Sequence, residues 1–159
     1  MKNITIALFF FLIPCLFSCK SPYITQKADW FNGKIDKNIT VNVFCETDKH
    51  TIAYSESLGN NLKDFFESKG LKSRVNVSSF YNEASSGDYP YRLDVIQETT
   101  SGDAGNFTIT LIDNISKKNI WKARFFARFK LFGNISTVNS SAKRAAEYLI
   151  KKMKEDQLL

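Results

Sequence analysis

The sequence predicts an α+β fold: a two-layer sandwich in which one mixed, mostly antiparallel sheet carries two helices on one face, in the order β-α-β-β-β-β-α. Strict alternation of apolar residues from Ile39 to Cys45, and again along three later segments, marks half-buried strands. Two stretches with apolar residues at helical spacing, one after the first strand and one at the C-terminus, supply the second layer. Helices held to one face of a sheet give a single core between two layers.

In ITVNVFCE, Ile39, Val41, Val43 and Cys45 share one face, which places the Cys45 thiol in the core. Thr51 or Asp48 can cap the helix that follows. Its stripe is Tyr54, Leu58, Leu62, Phe65 and Phe66, and Gly70 suits the left-handed position that closes a helix. LKSRVNVSSF reads as a weaker second strand and NEASSGDYP as a loop. A meander comes next. Tyr91, Leu93 and Val95 alternate with Arg92 and Asp94; Phe107, Ile109 and Leu111 alternate with Thr108 and Thr110. Trp121, Ala123, Phe125, Ala127, Phe129 and Leu131 share a face of the last strand. The closing helix, from about Thr137 to Asp156, buries Val138, Ala142, Ala145, Ala146, Leu149, Ile150 and Met153. The first β-α-β unit is expected to cross over, and the meander to run antiparallel.

The N-terminus is a different kind of segment. Lys2 is followed by an apolar run from Ile4 to Phe17, shorter than the ~20 residues a membrane-spanning helix needs. A charged start, a short apolar middle and a small residue before a break describe a secretory signal peptide. Leu16-Phe17-Ser18-Cys19 resembles the lipobox of bacterial lipoproteins. The resemblance implies that residues 1–18 are removed, that Cys19 becomes the first residue, and that it carries a diacylglycerol and often a further acyl chain such as palmitate. Cys15 would leave with the signal peptide, so a Cys15–Cys19 disulfide or metal pair is not expected. In enterobacterial lipoproteins Asp at the second position favours the inner membrane, so by that resemblance Lys20 points to the outer one; the domain is expected to face the periplasm. Residues 19–38 are expected to be the lipidated N-terminus and a tether, a coil of about 18 residues spanning roughly 20–25 Å. The folded domain is expected over residues 39–159. The hairpin FTITLIDNISKKNIWKARF, with Asp113, Lys117, Lys118, Ile120 and Trp121 in characteristic places, is similar to one in small envelope lipoproteins. The order of elements resembles the lipopolysaccharide-assembly lipoprotein and the N-terminal domain of the TolB family. That is an architectural likeness and confers no function.

Composition and motifs narrow the function classes. The net charge of +6 falls to +5 once Lys2 is removed, which favours anionic surfaces without being a nucleic-acid signature. The sequons at Asn38, Asn76, Asn106, Asn114, Asn134 and Asn139 are read as accidents of an Asn- and Ser-rich chain. His50 is the only histidine, and a core-facing Cys45 is a poor partner for it in a catalytic dyad. Asp94 and Glu98, about 13 Å apart along one strand face, are too far apart for a glycosidase pair. The sequence holds no G-x-S-x-G, no metal-spaced His/Cys cluster and no glycine-rich phosphate loop. The expectation is therefore no enzyme, no cofactor, no metal and no nucleic-acid partner. In KARFFARFK, Lys122, Arg124, Arg128 and Lys130 project to one face around Phe126. Registers that keep apolar opposite apolar set this basic face beside Thr108 and Thr110, which cannot neutralise it. Two classes fit: a docking or assembly component of an outer-membrane or periplasmic machine, which is preferred, and a lipid or lipopolysaccharide head-group binder.

Overall fold

A computed structural model describes residues 24–47, 49–79, 89–101, 104–128 and 135–159. The elements are β1 (Ile24–Lys27), β2 (Ile39–Phe44), α1 (Lys49–Ser68), β3 (Ser73–Ser78), β4 (Tyr91–Ser101), β5 (Ala104–Asp113), β6 (Lys118–Arg128) and α2 (Ile135–Glu155). The six strands form one sheet in the order β1-β6-β5-β4-β2-β3. β2 pairs parallel with β3 and β4; β4–β5, β5–β6 and β1–β6 are antiparallel. Both helices share a core with one sheet face, which is the expected two-layer α+β sandwich.

The inner face is built as the alternation predicts. Ile39, Val41, Val43, Leu93, Val95, Phe107, Ile109, Leu111, Trp121 and Ala123 are buried against Tyr54, Leu58, Leu62 and Phe66 of α1 and Val138, Ala142, Ala146, Leu149 and Met153 of α2. Phe107 and Phe125, paired across β5–β6, stack at 5.0 Å, and Tyr54 lies 5.4 Å from Phe107. Gly70, with φ +78°, closes α1: its N–H donates to the Glu67 carbonyl and that of Leu71 to the Phe66 carbonyl. α2 ends the same way with a residue the sequence does not advertise. Gln157 takes φ +56°, Leu158 N–H donates to Met153, and Leu158 is buried, its carbonyl accepting from Ile35 N–H.

Gly59 explains how closely α1 lies on the sheet. A Cβ there would stand 2.7 Å from Val75 Cγ1 and 3.3 Å from Val43 Cγ2. Gly59→Ala should therefore destabilise the fold by about 1–3 kcal/mol through overpacking, although alanine is the better helix former. A lowered urea midpoint at unchanged slope checks this.

Two expectations change. The stretch expected to be a tether contains a strand: β1 pairs with β6 over Ile24↔Arg124 to Lys27↔Trp121. Ile35, also within that stretch, is buried. The folded unit thus begins at least fifteen residues before Ile39. β2, expected to be half-buried, is buried along its whole length because it is flanked on both sides. Asn42 is hydrogen-bonded on both sides: its Nδ2 donates to Asp94 Oδ1 at 2.9 Å, and its Oδ1 accepts from Asn76 Nδ2 at 2.9 Å.

Candidate functional site: the outer face of β6

β6 alternates cleanly. Trp121, Ala123, Phe125 and Ala127 go to the core, while Lys122, Arg124, Phe126 and Arg128 are exposed on the outer face. Phe126 is 42 % exposed, flanked along the strand by two guanidinium side chains and facing Asn106 across β5. The register sets Thr110 beside Lys122 and Thr108 beside Arg124, as expected. Lys130 lies outside the described residues, as does Cys19.

The face is less purely basic than its neighbours suggest. A register shift in β4 between Gln97 and Thr99 frees Glu98 from strict pairing. Glu98 accepts a hydrogen bond from Thr108 Oγ1 at 2.6 Å, and Arg124 Nη2 lies 3.8 Å from the same carboxylate oxygen. Both side chains are well exposed, so the pair is worth on the order of 0–1 kcal/mol. It leaves Lys122 and Arg128 as the cations whose charge Glu98 does not offset. No acid capable of this was visible in the β5–β6 hairpin, because the neutralising group arrives from the next strand through a bulge.

The outer face divides into two halves. On β2 and the first half of β4 it is largely buried, with Asp94 at the centre: 2 % exposed, hydrogen-bonded by Asn42 and 3.0 Å from Arg92 Nε. Asp94 and Glu98 are thus engaged separately, the first with Asn42 and Arg92, the second with Thr108 and Arg124. On β6 the face is open to solvent.

Beyond Arg124, where the β1 pairing ends, the side of β6 opens into a groove of about 290 Å³. Phe126 and Arg128 line it from the strand, Arg144 and Tyr148 from α2. Ser141 Oγ donates to the Arg128 carbonyl at 2.8 Å, which draws the start of α2 onto the strand end. Arg144 and Tyr148 escaped the sequence reading. They sit beside the apolar stripe of α2, and nothing local says which strand that flank meets.

The opposite end of β6 presents a second exposed group. Trp30 is 46 % and Ile115 75 % exposed; the Trp30 ring packs edge-on against Phe31 and under Lys118 Nζ at 5.8 Å. The turn itself is set by Asp113, whose Oδ1 accepts from Ile115 N–H at 2.8 Å and Ser116 N–H at 3.3 Å. Burial opposes ionisation of Asp113, but those hydrogen bonds outweigh it and hold the carboxyl below its usual range. Its contribution to stability is therefore present above the unfolded value and fades as pH falls through the lower folded one.

Cys45 lies just past β2, 6 % exposed, its N–H donating to the Ser78 carbonyl. The thiol should resist alkylation until the protein unfolds, and Cys45→Ala should cost about 1 kcal/mol through lost packing. Native-state labelling with a maleimide against a denatured control measures the first. Among the described residues, no group of three His, Cys, Asp or Glu could hold a metal ion, and no helix is long and apolar enough to cross a membrane.

No protein-family model matches the chain, and no curated protein does. Similar solved structures include two PelC dodecamers from Paraburkholderia phytofirmans. One, a single-substitution variant, is 16 % identical, covers 79 % of this chain and 96 % of its own, and has a TM-score of 0.50. The other is 16 % identical, covers 77 % and 93 %, and has a TM-score of 0.47. At that identity the likeness to the variant concerns the fold, a mixed sheet with helices on one face.

Proposed function

We propose that the chain is a lipid-anchored, non-catalytic protein of the cell envelope, held at the outer membrane through Cys19. There it serves as a docking or assembly component that presents the outer face of β6 to an anionic partner. The observation that carries this reading is the exposed stripe of Lys122, Arg124 and Arg128 around a 42 %-exposed Phe126, on a sheet whose outer face is buried along β2. An exposed aromatic among cations supplies contact area together with charge. The anchor motif at Leu16–Cys19 supports the envelope location. The same stripe suits lipid or lipopolysaccharide phosphates, which is the second reading.

The test has two parts. Wild-type protein should incorporate a palmitate analogue in cells, and Cys19→Ala should not; label retained by the mutant sinks the anchor. Lys122→Glu with Arg128→Glu should leave folding intact and fail to complement a deletion strain. Full complementation would reduce the stripe to a solvated face.

A further inference from the structure

We infer that the bilayer which holds the anchor is also what the β6 stripe faces, so that the domain lies against anionic lipid head groups along its β1–β6 edge. This rests on the reading of Cys19 as the lipidated residue and takes lipid phosphates, the second reading of the stripe, as its occupant. Only four residues, Lys20 to Tyr23, separate Cys19 from Ile24. Five Cα-to-Cα steps reach at most ~18 Å in any conformation. Ile24 is paired with Arg124, so the two backbones lie about 5 Å apart. The anchor is thereby confined to the neighbourhood of the middle of β6, whereas a tether running to Ile39 would have left the domain free to turn any surface to the membrane.

The opposite edge, β3, lies five inter-strand steps from β1, about 24 Å away. The β3 edge carries one exposed strand cation, Arg74, and no exposed large apolar side chain among its described residues, whereas β6, beside the anchor, sets Lys122, Arg124 and Arg128 around Phe126. Arg144 extends the charge around the strand end, across the groove from Phe126. A cation close to an anionic membrane surface contributes on the order of a fivefold gain in binding. The anchor holds these cations there at high effective concentration, so even a weak electrostatic preference fixes orientation. Phe126 fits the interface between head groups and acyl chains, where an aromatic ring keeps one side wet.

The experiment uses the lipidated mature protein in vesicles of phosphatidylcholine with phosphatidylglycerol. Single nitroxides are placed at position 126 (Phe126→Cys), at 115 (Ile115→Cys) and at 64 (Asp64→Cys). The label at 126 should be protected several-fold from a water-soluble relaxation agent, while those at 115 and 64 stay accessible. Protection should be lost in phosphatidylcholine alone, and on raising salt from about 0.1 M to about 1 M, which shortens the Debye length from about 10 to about 3 Å. Lys122→Glu, Arg124→Glu and Arg128→Glu together should abolish it. An insertion of about twenty Gly/Ser residues after Ser21, which touches no surface residue, should weaken it about tenfold. Immersion of 115 instead would mean that the domain stands on its Trp30 end, and would overturn the proposal. So would a label at 126 that is protected in native envelopes but open in protein-free vesicles, since a protein would then hold the face. The mass of the N-terminal peptide separates the two readings. An acylated Cys19 with 126 in water refutes only the orientation; an unmodified Cys19 refutes both.

Discussion

Asp94→Ala should destabilise the domain by about 3–5 kcal/mol, more than any change on the exposed face of β6. The carboxylate is 2 % exposed and central to a polar row that crosses three strands: Asn76 on β3 donates to Asn42 on β2, and Asn42 donates to Asp94 on β4. Arg92, two residues along on the same face and only 11 % exposed in its side chain, stands 3.0 Å from the other carboxylate oxygen. Alanine removes the negative charge and both acceptors at once, leaving the guanidinium and the Asn42 amide to lose their shared partner in a place water reaches poorly. Asp94→Asn separates the contributions. It keeps an acceptor for Asn42 and loses the ion pair, so it should fall between wild type and alanine. Denaturant midpoints for Asp94→Asn, Arg92→Met and the double variant, against wild type, measure the coupling. A loss below about 1 kcal/mol for alanine would mean that the row is a decoration of the sheet and not a support for it.

That row also shows where the sequence stops being legible. The alternation of Ile39, Val41 and Val43 locates β2 and its core face correctly, but Thr40 and Asn42 read locally as residues turned to water. Asn42 is buried with partners 34 and 52 residues away, and pairing at that range leaves no trace in a local pattern. β1 escaped for a related reason. ITQK is four residues long with no period of its own, and it is a strand because β6 offers it an edge. Lys122, Arg124, Phe126 and Arg128, by contrast, share the exposed face that period-two alternation assigns them. What alternation cannot supply is the lateral neighbourhood. Glu98 reaches Arg124 through a bulge, and Arg144 reaches the groove through the packing of α2. The charges of the candidate site were therefore visible, and their partial compensation and three-dimensional setting were not.

Trp121→Ala should cost about 3–5 kcal/mol, the other large effect expected in this fold. Trp121 is 1 % exposed and lies where three strands converge, opposite Leu111 on β5 and Lys27 on β1. Its indole Nε1–H donates to Asp156 Oδ2 at 2.6 Å, tying the middle of the sheet to the last turn of the chain beyond α2. The same turn places Leu158 in the core through its N–H bond to Met153, and that residue's carbonyl holds Ile35. Removing the ring thus opens a cavity and slackens the closure of both chain ends. Asp156→Ala isolates the hydrogen bond and should cost about 1 kcal/mol, because a buried indole N–H loses its acceptor while the packing stays. Trp121→Phe should fall between the two. If the alanine variant lost no more than Asp156→Ala, the ring would be acting as a hydrogen-bond donor alone, and the packing assigned to it would be wrong. Hydrogen exchange gives an independent check: in Trp121→Ala, the amides of Ile35 and Leu158 should lose protection before those of β2 and β4, whose pairing does not pass through the indole.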